Sequence, residues 1–413
     1  MSISKNPLRH LRTSDLRGAA QLAAHSTASV TRIAEGVHLS VWRTMGIPGG
    51  KEPGTTRGIT GFVYRSVHDI ALLLGQGVDS ALVRLQPLLE SMERAGPGTP
   101  ERATLLSVLN GVIGDHLVAS DSPFAIPMTL YYQGKALGRE ALPALPDATG
   151  KVLLLVHGLC MNDLQWQTCR DGRPLDHGEE LAVALGYTPV YLRYNSGLHT
   201  SQNGRELSVL LEELLAQWPT PIEELTVIGH SMGGLLARSA VHYAKQESLR
   251  WPEQLKRIVF LGTPHHGALL EQAGNWVDTI LGSTPYTAPF ATLGRLRSAG
   301  ITDLRYGYLL DEDWQGHDRF HPKPDDRQIV SLPDGIECYT VAATMAGEQS
   351  KLANRLIGDG LVPLPSALGR HDDALRKLDF DPAAQRIAYG MSHMALLASP
   401  EVGRQMVQWL TPQ

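Results

Sequence analysis

The chain has 413 residues, of which 43% are hydrophobic, 19% charged and 6% aromatic, the balance of a globular protein with ample material for a buried core. That excludes a disordered or collagen-like chain. A net charge of -5 gives no field that would draw a polyphosphate, so no nucleic acid is expected as a partner.

Residues 1–120 are slightly basic and helical in pattern, whereas the remainder is acidic. Leu16, Ala19, Ala23, Ser26, Val30, Ile33, Val37 and Val41 recur at helical spacing. A second stripe runs from Phe62 to Leu89, and Thr99-Pro100 reads as the start of a third helix carrying Leu105, Leu109, Val112 and His116. This N-terminal helical region could cap the rest of the chain, mediate self-association or make peripheral membrane contact. Core packing is preferred, because a surface-lying helix usually shows a strongly basic polar face. No apolar stretch of signal-peptide length follows the basic start, and no run is long enough to span a bilayer, so a cytoplasmic location is expected. Oligomeric state cannot be read from the string.

From about residue 127 the pattern changes. Met128, Leu130 and Tyr132 alternate before Gln133-Gly134, as in a strand entering a hairpin. Unbroken apolar runs follow at 152–156, 189–192, 225–228, 258–261 and 338–342. Strands buried on both faces read this way, which predicts a mostly parallel sheet covered by helices, here 179–185 and 206–218. The interval of about 268–335 is too long for a simple crossover and predicts an insertion. Its apolar first half, from Leu269 to Leu281, suits a lid over an acyl groove as well as it suits core packing. The expected organisation is thus residues 1–120 as a helical region and 121–413 as an α/β domain.

The chemistry concentrates at Leu225-Thr-Val-Ile-Gly229-His230-Ser231-Met232-Gly233-Gly234, a strand, then Gly-x-Ser-x-Gly, then a helix. A serine on so sharp a turn has a strained backbone. Gly229 and Gly233 must lack side chains for strand and helix to approach. At this point the sequence resembles the α/β-hydrolase superfamily of serine lipases and esterases. Further marks are Val156-His157-Gly158-Leu159, Gly262-Thr263-Pro264-His265-His266-Gly267, Gly358-Asp359-Gly360 and Ser392-His393-Met394. The match covers about residues 127–413. It leans toward bacterial lipase-like proteins related to glycosylphosphatidylinositol inositol-deacylases and lecithin acyltransferases.

The resemblance implies a catalytic triad in the chain order nucleophile, acid, histidine, hence Ser231, Asp359 and His393. A serine hydroxyl needs a base, and the base needs a third group to fix its tautomer. Asp303, Asp311 and Asp313 are fallback acids, and His265 and His266 are rival bases that instead suit an active-site wall. The backbone amides of Leu159 and Met232 are the expected oxyanion hole, with His157 and Gly158 shaping the loop that carries the first. Some related lipases hold calcium through an acidic residue just after the catalytic histidine, but here Met394, Ala395 and Leu396 follow. No His-x-x-x-His, Cys-x-x-Cys or dinucleotide fingerprint occurs, so neither metal nor cofactor is expected. Cys160, Cys169 and Cys338 are too few for a disulfide framework, although pairing of Cys160 with Cys169 stays open.

The expected activity is a serine carboxylic-ester hydrolase working through an acyl-enzyme on lipid, small-ester or polyester substrates. An acyltransferase would use the same triad, and a binding protein could retain the fold without chemistry.

Overall fold

A computed structural model describes residues 100–412 apart from 120, 140–141, 143–144, 171, 269–297, 318–324 and 349–357. The helical stripes expected before residue 99 and the apolar half of the insertion lie outside these residues.

The architecture is an eight-stranded sheet in the order β10-β9-β8-β7-β3-β6-β1-β2. Its strands are β1 (Thr129–Tyr132), β2 (Lys135–Ala136), β3 (Lys151–Val156), β6 (Thr188–Arg193), β7 (Glu224–His230), β8 (Leu255–Leu261), β9 (Glu337–Thr344) and β10 (Gln385–Tyr389). The six strands from β10 to β6 are parallel; β1 runs antiparallel to β6 and turns back into β2 at Gln133-Gly134. A separate two-stranded ribbon, β4 (Thr168–Arg170) with β5 (Arg173–Leu175), carries no apolar run and was not foreseen.

The apolar runs are continuous because each strand feeds two cores. In β3, Val152, Leu154 and Val156 pack with helices α3 (Thr200–Ala216) and α4 (Met232–Gln246) through Leu207, Leu211, Leu236 and Ala240. The alternate residues Leu153 and Leu155 pack on the other face, with α2 (His177–Leu185) and α6 (Pro400–Leu410) through Leu181, Val402 and Met406. α2 ends at Gly186 in a left-handed cap, as its sequence suggests. α3 starts at Thr200, earlier than the expected Glu206. Its first turns are polar yet buried: Thr200, Ser201, Asn203 and Gly204 are enclosed, so apolar periodicity does not mark them.

α1 (Pro100–Ala119) begins at the predicted proline but does not stand apart from the sheet domain. Val108, Val112, Ile113 and Leu117 share a core with Leu159, Cys160, Met232 and Leu235, and with Ile301 and Leu304 of α5 (Ala299–Tyr306). Of the predicted stripe, Val112 is buried and Leu109 packs against the same core. His116 is exposed, while Gly111 and Gly114 face inward, and non-helical dihedrals at Ile113 kink the helix. All three cysteines are free thiols, Cys160 buried and Cys169 exposed. Among the described residues no helix is long and apolar enough to cross a membrane.

Candidate active site

β7 runs through the middle of the sheet and ends at His230, and α4 begins at Met232, so Ser231 alone forms the corner. Its dihedrals, φ 54° and ψ -123°, are those of a strained residue held by its surroundings. The Ser231 amide donates to the Leu261 carbonyl (2.8 Å), tying the corner to the end of β8. The glycines are required sterically. A Cβ on Gly229 would lie 2.6 Å from the Gly234 Cα, and one on Gly233 would lie 2.3 Å from the Val156 carbonyl oxygen.

Asp359 and His393 meet. His393 Nδ1 lies 2.6 Å from Asp359 Oδ2, and the His393 amide donates to the Asp359 carbonyl at 3.0 Å, so the pair is joined through both side chain and backbone. Both residues are almost fully buried. The second carboxylate oxygen accepts the amides of Leu361 (2.9 Å) and Val362 (2.8 Å), a turn made possible by positive φ at Gly358 and Gly360. The His393 ring packs on Gly262, where a Cβ would come within 3.1 Å of Nδ1. Gly262 follows Leu261, the residue that anchors Ser231. Ser231 thus follows the carboxyl end of β7, Asp359 follows β9, and His393, which follows β10, packs on the turn after β8. Among the described residues the Ser231 hydroxyl makes no hydrogen bond.

Opposite lies the loop after β3. A Cβ on Gly158 would approach the Ser231 Cβ to 3.0 Å, so this backbone passes directly over Ser231. The amides of Leu159 and Met232 are buried, and among the described residues neither has an acceptor. The loop is held from three sides. His157 donates from Nδ1 to the Gly158 carbonyl (2.8 Å), accepts the Tyr194 amide at Nε2 (3.3 Å) and stacks on the Tyr194 ring. The Cys160 amide donates to Ser196 Oγ at 3.0 Å. Cys160 itself has φ 61° and abuts α1, where a Cβ on Gly111 would collide with its sulfur at 2.3 Å.

His230 adds a contact that the motif alone does not disclose. Its Nε2 faces the His393 carbonyl at 3.4 Å, and the two rings are 4.8 Å apart. The other expected residues fall elsewhere. His265 Nδ1 accepts from Arg238 (3.3 Å), and the His266 amide donates to Ser366, so neither reaches Ser231. Asp303 accepts from His199 and the Thr200 amide, Asp311 pairs with Arg205, and Asp313 caps Leu309 and Leu310; the fallback acids are thus occupied. Among the described residues no group of three or more His, Cys, Asp or Glu could hold a metal ion.

Burial keeps several imidazoles neutral. It lowers His157 to about 3, and it places His230 and His265 well below the ordinary histidine value, with the neighbouring His393 and Arg238 charges adding to the effect. A base depressed in the folded state adds stability above its unfolded pKa of about 6.5 and loses it as pH falls toward the folded value. The thermal midpoint is therefore expected to drop steadily between pH 7 and pH 4, and His157→Gln should flatten that slope. A midpoint independent of pH across this interval would refute the assignment.

A parallel sheet covered on both faces, an antiparallel edge and a serine corner after the central strand define the α/β-hydrolase fold. Within that class, residues 147–334 match the family described as the PGAP1-like alpha/beta domain. Solved structures that the chain matches include the mature lipase BlEst2 of Bacillus licheniformis, 17% identical over 66% of this chain and 92% of that one (TM-score 0.38). Phospholipase PlaB of Legionella pneumophila is 14% identical over 64% and 60% of the two chains (TM-score 0.42). The esterase of Pyrobaculum calidifontis is 13% identical over 75% and 88% (TM-score 0.37). The chain has no match among curated proteins.

Proposed function

We propose that the chain is a serine carboxylic-ester hydrolase that works through an acyl-enzyme on lipid, small-ester or polyester substrates. The observation that carries this reading is the strained Ser231 corner at the same sheet edge as the buried Asp359–His393 pair. Ser231 Oγ attacks the ester carbonyl as His393 Nε2 takes its proton. Asp359 holds the Nδ1 proton and so keeps Nε2 free to accept. Negative charge developing on the carbonyl oxygen meets the unengaged amides of Leu159 and Met232, the latter also at the positive end of the α4 dipole. Collapse releases the alcohol with the proton from His393, and water repeats the sequence on the acyl-serine. The missing Ser231–His393 hydrogen bond is compatible with this role, since such contacts often tighten only when substrate binds.

Labelling with a fluorophosphonate probe tests the proposal, because the probe reacts with an activated serine alone. The wild type should label and Ser231→Ala should not; equal labelling of both would place the reactive group elsewhere. Adding glycerol to the ester assay separates transfer to an alcohol from hydrolysis.

A further inference from the structure

A small cleft, partly open to solvent, lies between α4, the loop after β8 and the segments around residues 327–331 and 375–378. None of Ser231, Asp359 or His393 lines it. One of its walls is Arg238, from the middle of α4 and only 4% exposed. Its Nη1 donates to His265 Nδ1, its Nη2 donates to the Val330 carbonyl, and its Nε has no partner. Among the described residues no carboxylate pairs with it. Because His265 accepts at Nδ1, its proton sits on Nε2, which also lacks a partner, as does Nε2 of His266.

An enclosed guanidinium with no carboxylate in contact, relieved only by the more distant charge of Asp313, is costly, and the unpartnered His265 Nε2 adds to the cost. Burial, and then the charge of Arg327, lower Arg238 only to about 10, so it remains a cation at neutral pH. At the mouth, Arg327 and Arg376 both lean on Asp325, and Lys377 also lines the cleft. The lining carboxylate, Asp313, accepts the amides of Leu309, Leu310 and Gln328. The side chains of Ile329 and Leu375 stand exposed on the rim.

We propose that this cleft is a binding site for a small oxyanion, a phosphate or carboxylate group, with Arg238 and His265 as its donors. The oxyanion supplies a negative charge in direct contact with Arg238 and acceptors for its unpartnered Nε and for His265 Nε2. A guanidinium with imidazole partners matches the geometry of either anion.

Calorimetric titration of the full-length protein with sodium phosphate, acetate and octanoate, each against sodium chloride at equal ionic strength, tests the proposal. Saturable binding of phosphate or a carboxylate is expected, weakened by about tenfold or more in Arg238→Gln, as befits loss of a charge-assisted hydrogen bond. Phosphate binding would support a free oxyanion as the occupant. Octanoate binding much tighter than acetate would support an anionic amphiphile lying across Ile329 and Leu375. Should Arg238→Gln not fold, nitrogen NMR of the wild-type histidines replaces it, with the His265 resonance expected to shift saturably with ligand. No binding beyond the chloride control, binding unchanged by Arg238→Gln, or an unmoved His265 resonance would overturn the proposal.

Discussion

Ser231→Ala is expected to lower kcat for a short p-nitrophenyl ester by about 10⁶-fold while leaving the fold intact. The fold should survive because among the described residues the Ser231 hydroxyl makes no hydrogen bond, so its removal strands no buried partner there. His393→Ala should cost about as much, and the double variant no more than either single one, since nucleophile and base act as a unit. Circular dichroism and thermal unfolding check the folding half of this expectation, and steady-state kinetics the catalytic half. Losses that multiply in the double variant would mean that the two residues act in separate steps, which the acyl-enzyme mechanism does not allow.

Asp359→Asn is expected to lower kcat by about 10⁴-fold at neutral pH, for a reason readable from its three hydrogen bonds. The asparagine oxygen can still accept the Leu361 and Val362 amides, so the turn persists. The remaining group becomes an NH2 facing His393 Nδ1 where an oxygen now lies at 2.6 Å. Two donors cannot meet there, so the imidazole must turn its acceptor to Nδ1 and carry its proton on Nε2. It then cannot take the proton of Ser231. Asp359→Ala would remove the turn acceptor as well, and a lower thermal midpoint should accompany its loss of activity. Asparagine retaining near-wild-type kcat would exclude Asp359 as the orienting acid.

Local sequence disclosed those parts of the site that local sequence builds. The Ser231 corner was legible because strand, small residues and helix are contiguous there. The sheet was legible because residues such as Leu153 and Leu154 serve opposite cores and leave no polar gap. Asp359 was chosen by chain order and flanking glycines, and only the folded chain reveals its contact with His393. What stayed hidden joins residues distant along the chain: His230 with the His393 carbonyl, Ser196 with the Cys160 amide, and Arg238 with Val330. α1 was legible only in part, because its inward face carries Gly111, Gly114, Ser107 and Asn110 beside Val108 and Val112, and an apolar pattern passes over the first four. Those small and polar residues let the helix approach closely. Asn162 donates to Ser107, Asn195 donates to the Gly114 carbonyl, and Ser298 donates to the Gly111 carbonyl.

The placement of α1 bears on where an autonomous catalytic unit can begin. Trimming the chain to the matched family segment, which opens at residue 147, would strip away the back wall against which Cys160 is wedged in its left-handed conformation. The amide next to it, that of Leu159, would lose its fixed bearing toward Ser231. The upstream stretch from Pro100 therefore braces the loop that passes over Ser231, and its reach across the fold makes the smallest complete folding unit longer than the matched family segment.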